Sequence, residues 1–247
     1  MEKFFKFSIF SKFDEIIQGV SQRQYGDMRF GTIDDSMVVK NREHFLGDLG
    51  IDIHEVVVAG VTHGTKIQEV SRDDKGRGAL SKSSAISATD GLLTFQQDVF
   101  LMVTVADCLP ILIYEPVVKL VGILHAGWRG IISQIIPRAI EKFKTCGAMP
   151  EHLVIGIGPG ICQKHFVVQN EVLDNFLDNY PTATFVRNNH GYVDLKKAAA
   201  KDFKKMGILE ENLEIVSICP ACDHGNFGSF RKEGEGTPAS AGVIGMR

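Results

Sequence analysis

Three short segments concentrate the side chains able to do bond-making chemistry: Val61-Thr62-His63-Gly64, Thr104-Val105-Ala106-Asp107-Cys108-Leu109-Pro110 and Leu124-His125-Ala126-Gly127-Trp128-Arg129-Gly130. Each sets a soft or borderline metal ligand at the end of an apolar run, beside a turn residue. Strand ends are where a rigid sheet presents side chains to a cleft. His63, Cys108 and His125 together make a His2Cys set. Zinc binds imidazole and thiolate, and a catalytic zinc keeps one of its four positions open. The long separations exclude a local finger. Cys108 also supports a second chemistry. Beside a histidine its thiolate is the nucleophile of a Cys-His hydrolase or deamidase, with Asp107 orienting the imidazole or staying solvated. Both chemistries need a thiolate; they differ in whether a metal or a basic histidine produces it. A buried Cys after a strand is also commonly no more than a small core residue.

Ala126-Gly127-Trp128-Arg129-Gly130 leads from a strand into a helical pattern. Glycines ahead of a helix let an anion approach backbone N–H groups, and Arg129 adds a bidentate donor suited to phosphate. The same residues also suit a plain turn, with Arg129 paired to one of the 30 acidic side chains. Ile157-Gly158-Pro159-Gly160-Ile161-Cys162 is another glycine turn after a strand. It lacks the Gly-Lys-Ser/Thr ending of a Walker loop. Cys219-Pro220-Ala221-Cys222 has C-x-x-C spacing, which suits a redox pair, half a structural zinc site, or two incidental thiols. Arg231 and Lys232, in Ser229-Phe230-Arg231-Lys232-Glu233-Gly234, form a basic pair able to reach an anionic substrate.

Something must hold these groups. Glu55–Thr62, Val99–Ala106, Leu109–Tyr114, Val117–Leu124 and Leu153–Ile157 read as strands; Leu109–Tyr114 and Val117–Leu124 form a strand and its return around Glu115-Pro116. Apolar positions 131, 132, 135, 136, 139, 140 and 143 describe one helix face, with Pro137 marking a kink or a late start and Gly147 a stop. Asn170–Tyr180 reads as a helix ended by Pro181. Asp194 caps another carrying Leu195, Ala198, Ala199, Phe203 and Met206, stopped by Gly207. Ser71–Ser87 is a polar loop. Strands with interspersed helices predict one mixed α/β or α+β domain; the βαβ regularity of a doubly wound fold is missing.

The chain has 247 residues, 44% hydrophobic and 23% charged, which fits a globular protein with a sizeable core. Lys and Arg number 27 against 30 Asp and Glu, a net charge of −3, so no basic excess points to nucleic acid. Five cysteines, an odd number in a long chain, argue against a disulfide framework and for a reducing cytoplasm. Met1-Glu2-Lys3-Phe4-Phe5-Lys6 carries charge inside its apolar stretch, unlike a signal peptide. No window approaches the ~18 apolar residues that span a bilayer, so no membrane partner is expected.

These segments, taken in order, resemble the YfiH family, also called the laccase-domain or multicopper polyphenol oxidase family. Matching pieces are Gly19-Val20-Ser21-Gln22-Arg23, Asn41-Arg42, His63-Gly64, Thr89-Asp90-Gly91-Leu92-Leu93-Thr94, Ala106-Asp107-Cys108-Leu109-Pro110, His125-Ala126-Gly127-Trp128-Arg129-Gly130, Gly158-Pro159-Gly160-Ile161, Asp194-Leu195, Cys219 and Ser229-Phe230-Arg231-Lys232. The resemblance implies an α+β fold, a single catalytic domain over residues 1–247, with mixed β-sheets packed together and helices on the outer faces. It implies Zn2+ held by His63, Cys108 and His125. It also implies purine nucleoside chemistry: phosphorolysis of adenosine, inosine, guanosine or methylthioadenosine, and hydrolytic deamination of adenosine. The partners are then a small-molecule purine nucleoside and phosphate, with Arg42, Arg129 and Arg231 as anion-binding residues and Asp107 as an acid near the departing ammonia. The laccase label implies copper-dependent phenol oxidation. A blue site with a trinuclear cluster needs many histidines in His-x-His pairs; this chain has eight His and none in such a pair. Copper remains an adventitious or alternative metal for the His2Cys set. A Cys-His amide hydrolase using Cys108, a copper-binding polyphenol oxidase-like protein and a metal-carrying or redox partner protein are the competing readings. Oligomeric state is not legible.

The chain departs from the family pattern at Gln24-Tyr25-Gly26, at Lys164-His165-Phe166, where an aromatic–acid pair is common, and at Gly236-Thr237-Pro238-Ala239-Ser240, which replaces a common Thr-Gly-Arg. If that Arg binds phosphate elsewhere in the family, another base must serve here.

Overall fold

The structure is a computed structural model that describes residues 3–247; Met1 and Glu2, which open the amino-terminal stretch read above, lie outside it. In chain order the first half contains β1 (Ile16–Val20), α1 (Asp35–Asp48), β2 (Val56–Val58), β3 (Ile67–Glu69), β4 (Gly91–Thr94), β5 (Phe100–Val105), β6 (Leu109–Glu115) and β7 (Leu120–Ala126). The second half contains α2 (Trp128–Ile132), α3 (Ile135–Thr145), β8 (Val154–Ile157), β9 (Val167–Val168), α4 (Asn170–Asn179), β10 (Thr184–Arg187), β11 (His190–Val193), α5 (Leu195–Lys205), β12 (Leu213–Ile215), α6 (Phe230–Glu233) and β13 (Ser240–Met246).

A four-stranded sheet in the order β1-β13-β5-β2 lies against a six-stranded sheet in the order β12-β8-β6-β7-β4-β3, and a small ribbon orders β10-β11-β9. Both large sheets are mixed: β2 runs parallel to β5, β3 to β4 and β12 to β8, and the remaining pairs are antiparallel. The expected strand and return is the β6–β7 hairpin, in the register Leu112↔Ile123.

Period-two alternation sorts the side chains into three cores. Leu101 and Val103 of β5, Leu112 and Tyr114 of β6, Val121 and Ile123 of β7 and Ile244 of β13 fill the space between the sheets. Leu109, Ile111, Ile113, Leu120 and Leu124 point the other way, onto Ile131, Ile136, Ile140, Phe143 and Phe203 of the helices. Phe100, Met102 and Val243 leave the far side of the four-stranded sheet and pack on Phe45 and Leu46 of α1. The result is four layers, helix, sheet, sheet, helices, as the α+β expectation required. Each fully buried Leu, Ile, Val or Phe contributes about 1.5–3 kcal/mol of transfer free energy, so the helices are held chiefly by these faces.

The helical face predicted from Ile131 to Phe143 is broken in two. Gln134 has φ of 64°, outside the helical region, and separates α2 from α3. Pro137 then falls in the first turn of α3, where its missing N–H costs nothing, so the late start is the outcome. Asp194 caps α5 as expected, accepting from the Lys197 N–H at 3.0 Å. Among the described residues no helix is long and apolar enough to cross a membrane.

Candidate metal centre

His63 stands in the turn after β2, Cys108 in the tight connection between β5 and β6, and His125 near the end of β7. The fold brings all three together: one nitrogen of each imidazole and the Cys108 sulfur lie within 4.8 Å of one another. The two imidazoles meet edge to face, with ring centroids 4.8 Å apart. His125 is buried, Cys108 half-buried and His63 exposed, so the group lies at the surface end of a dry sheet.

Asp90, fully buried just ahead of β4, organises this group. Its carboxylate accepts from the backbone N–H groups of Thr62, His63 and Gly64 at 3.0, 2.8 and 2.8 Å and from the Thr62 hydroxyl at 3.0 Å. Three converging N–H groups hold the turn in which His63 takes a φ of 60°, a left-handed conformation uncommon for a residue with a Cβ. Asp90 also faces His125 Nδ1 at 2.8 Å. An ionised carboxylate only accepts, so that contact keeps a proton on Nδ1 and turns Nε2 toward the cluster. Burial opposes the charge on Asp90, but the hydrogen bonds from His125, Gly64 and Thr62 hold its carboxyl well below the usual carboxylate range. Burial likewise opposes ionisation of Cys108, yet attraction to His125 and hydrogen bonds from both imidazoles bring the thiol down. The same attraction, with Asp90, raises His125 against its burial. Gly127 completes the cradle: a Cβ there would stand 2.9 Å from Cys108 Sγ and 3.2 Å from His63 Cδ2.

The cluster opens into a cavity of about 530 Å3. Trp128 and Arg129 enter it from α2, Phe230 and Arg231 from α6, and Arg29 from the loop ahead of α1. Arg129 stacks on Trp128, its guanidinium 4.3 Å from the ring centroid. Arg231 lies over Phe166 at 5.2 Å and donates to the Val167 carbonyl at 2.7 Å. Asp107 is at the wall, in a turn with φ of 78°. Its carboxylate accepts from Ser229 Oγ at 2.8 Å and from the Arg231 N–H at 2.6 Å, while burial pushes its pKa up. Both oxygens thus anchor α6, and neither is directed at the His2Cys group by these contacts.

Arg42 is the sequence candidate that the structure does not bring to the cluster. It is buried in α1 and stacked on Phe30, and it donates to the carbonyls of Met28, Gly78 and Ala79 at 2.6–2.9 Å. Its partner in the Asn41-Arg42 pair donates to the Asp27 carbonyl at 3.0 Å. The pair therefore braces the segment that carries Arg29. Sequence reasoning assigned no role to Arg29, Asp90 or the space at Gly127. Asp90 had a signal, an acid immediately before an apolar run; Arg29 had none. Arg29 donates to the Thr237 carbonyl at 3.2 Å, and its buried Nε has no hydrogen-bond partner.

Two mixed sheets between helix layers are the architecture of one family. The chain belongs to it: the family model described as multi-copper polyphenol oxidoreductase laccase matches residues 12–247. Among its relatives, purine nucleoside phosphorylase YlmD of Bacillus subtilis is 31% identical over 237 residues, covering 93% of this chain and 85% of that one. Adenosine deaminase RL5, from an unknown prokaryotic organism, is 28% identical over 191 residues, covering 75% and 73%. The crystal structure of YlmD from Geobacillus stearothermophilus superposes with a TM-score of 0.92 at 25% identity and covers all of both chains. Relatives thus carry phosphorylase and deaminase names, and this chain holds a histidine–cysteine group able to bind a metal.

Proposed function

We propose that this protein is a zinc-dependent purine nucleoside enzyme. It splits adenosine, inosine, guanosine or methylthioadenosine with phosphate into the free base and the sugar 1-phosphate, and it hydrolyses adenosine to inosine and ammonia. The observation that carries this reading is the His63–Cys108–His125 group, oriented by Asp90 and opening into a cavity lined by three arginines and by the aromatic rings of Trp128, Phe166 and Phe230.

The residues fit a zinc ion on the structure's own terms. Two imidazoles and a sulfur inclined to thiolate are the donors zinc prefers, Asp90 supplies the outer partner that fixes a ligating histidine, and Gly127 keeps the space clear. A zinc held by His63, Cys108 and His125 would supply Lewis acidity at the reacting carbon. The same donors accept copper, but a trinuclear copper cluster needs more imidazoles than gather here among the described residues.

The protein's own groups do the rest. A cavity of about 530 Å3 suits a nucleoside, since small-molecule sites commonly measure ~300–1,000 Å3. Trp128, Phe166 and Phe230 offer flat apolar surface to a purine. Arg129, Arg231 and Arg29 offer positive charge to phosphate, and Arg29, beside Thr237, replaces the family's tail arginine missing from Gly236–Ser240. Asp107 is a positioning residue that holds Arg231 through its main chain. We treat residues 1–247 as one catalytic domain, because the two sheets share a core, and place it in the cytoplasm, because none of its five cysteines is in a disulfide.

One observation favours a second reading. Without metal, the Cys108 thiol and His125 pull each other toward thiolate and imidazolium, with Asp90 behind the histidine. This is the order of a Cys-His amide hydrolase. Chromatography of adenosine incubated with the enzyme separates the readings. Adenine and ribose 1-phosphate with phosphate, inosine without it, and loss of both after chelation with recovery on zinc are expected. Activity untouched by exhaustive chelation would overturn the zinc enzyme.

A further inference from the structure

We propose that Cys162, His165, Cys219 and Cys222 form a second, closed zinc site of Cys3His type that ties the loop after β8 to the carboxy-terminal segment beside the cavity. The three sulfurs and the His165 nitrogen lie within 4.8 Å of one another. His165 Nδ1 is 3.5, 3.7 and 3.4 Å from the sulfurs of Cys162, Cys219 and Cys222, and Cys162 and Cys222 are 3.9 Å apart. Zn–S bonds of ~2.3 Å and Zn–N bonds of ~2.0–2.1 Å put tetrahedral edges at about 3.8 Å between sulfurs and about 3.5 Å between sulfur and nitrogen. Four of the six donor–donor distances therefore match the edges of a zinc tetrahedron, and the two from Cys219 Sγ to the other sulfurs stay within 4.8 Å. The sulfur spacing is far beyond the ~2.05 Å of a disulfide.

The chain builds the site from two similar turns. In Cys162-Gln163-Lys164-His165 the Cys162 carbonyl accepts from the N–H groups of His165 and Phe166, both at 3.0 Å. In Cys219-Pro220-Ala221-Cys222 the Cys219 carbonyl accepts from Cys222 and Asp223 at 3.0 and 2.9 Å. Each turn folds its first and fourth side chains to one point, as C-x-x-H and C-x-x-C spacings require. The two turns are joined by the Cys162 N–H, which donates to Cys219 Sγ at 3.2 Å. Binding is redox-neutral. Three thiol protons leave to solvent, and three thiolates with one dication give a net charge of about −1. The buried Lys196, whose ammonium donates to the Ile218 carbonyl at 2.7 Å next to Cys219, sets a cation beside that charge.

Four protein ligands leave no position for substrate, so the site is structural where the first is open. Its neighbours say what it steadies. Ile161 precedes Cys162 and Phe166 follows His165, and both line the cavity. The segment after Cys222 continues to Ser229 and Arg231, which grip Asp107.

Zinc counted per chain in wild type, Cys108→Ala and Cys222→Ser tests the site. Two equivalents are expected in wild type and one in each variant. The equivalent kept by Cys108→Ala should give, on cobalt exchange, the charge-transfer absorption of three thiolates. If Cys222→Ser does not fold, the Cys108→Ala spectrum alone decides. A Cys108→Ala protein without zinc, or with cobalt bound by no thiolate, would overturn the proposal. So would a disulfide among the three cysteines in freshly purified protein. A wild type with a single equivalent that Cys108→Ala keeps would uphold this site and remove zinc from the first.

Discussion

Asp90 Oδ1 lies 2.8 Å from His125 Nδ1, and the same carboxylate holds the backbone of Thr62, His63 and Gly64. One buried acid therefore sets the orientation of two ligands that the chain separates by 62 residues. It turns His125 so that Nε2 faces the cluster, and it fixes the left-handed turn that carries His63. Its negative charge also makes the imidazole a better donor.

Replacing that charge while keeping the shape isolates its effect. Asp90→Asn is expected to weaken zinc affinity about 10–100-fold, read by competition with a chromophoric chelator. Unchanged affinity with a lower melting temperature would reduce Asp90 to a loop brace.

Gly127 and Gly47 make a matched pair. A Cβ on Gly127 would press on Cys108 Sγ at 2.9 Å and His63 Cδ2 at 3.2 Å, whereas one on Gly47, in α1, would meet nothing within 4 Å. Gly127→Ala should cut turnover at least about tenfold and cost about 1–3 kcal/mol of overpacking. Gly47→Ala should stabilise by about 0.5–1 kcal/mol through helix propensity alone, with turnover unchanged. Equal turnover in the two variants would contradict the cradle.

Two of the three arginines expected to bind anions, Arg42 and Arg129, should part company. Arg42→Ala strands the buried carbonyls of Met28, Gly78 and Ala79. It should lower stability by about 3 kcal/mol, given ~1–3 kcal/mol for each orphaned group and partial relaxation. Arg129 makes no ion pair among the described residues, and Arg129→Ala should raise KM for phosphate with little change in melting temperature. A rise in phosphate KM from Arg129→Ala no larger than wild-type scatter would remove that residue from the anion site.

Glu15 sets a pH dependence remote from the cluster. It pairs with Lys119 and accepts from the Tyr114 hydroxyl at 2.7 Å, and these contacts lower its pKa from 4.5 to about 2. A carboxylate depressed on folding stabilises above its unfolded pKa and loses that contribution as pH falls toward the folded one. Denaturant midpoints of wild type and Glu15→Gln should differ near neutrality and converge between about pH 4.5 and about pH 2. A gap that stays constant across that window would show that the pair contributes nothing through charge.

The sequence exposed the parts of this fold whose side chains repeat with a clean period. The apolar face of α3 and the Asp194 cap of α5 are local patterns, and the β6–β7 hairpin is bounded by its own turn. α1 passed unseen because its buried face contains Arg42 beside Val38, Phe45 and Leu46, so no apolar stripe forms. β13 passed unseen as well, because Gly242 and Gly245 interrupt its apolar run, yet Gly245 is needed there: a Cβ would stand 2.4 Å from the Phe100 ring. At the site, His63, Cys108 and His125 were legible because each ends an apolar run. The carbonyls that occupy Arg42, the position of Arg29 and the meeting of Cys162 and His165 with Cys219 and Cys222 depend on distant backbone, which no spacing rule encodes.

The central claim is that one ion sits among His63, Cys108 and His125 in the active enzyme. Anomalous diffraction at the zinc edge from crystals of active protein tests it most directly. A peak about 2.0–2.3 Å from Cys108 Sγ and from one nitrogen of each imidazole is the predicted result. Crystals of active enzyme with no anomalous peak among those three side chains would contradict it.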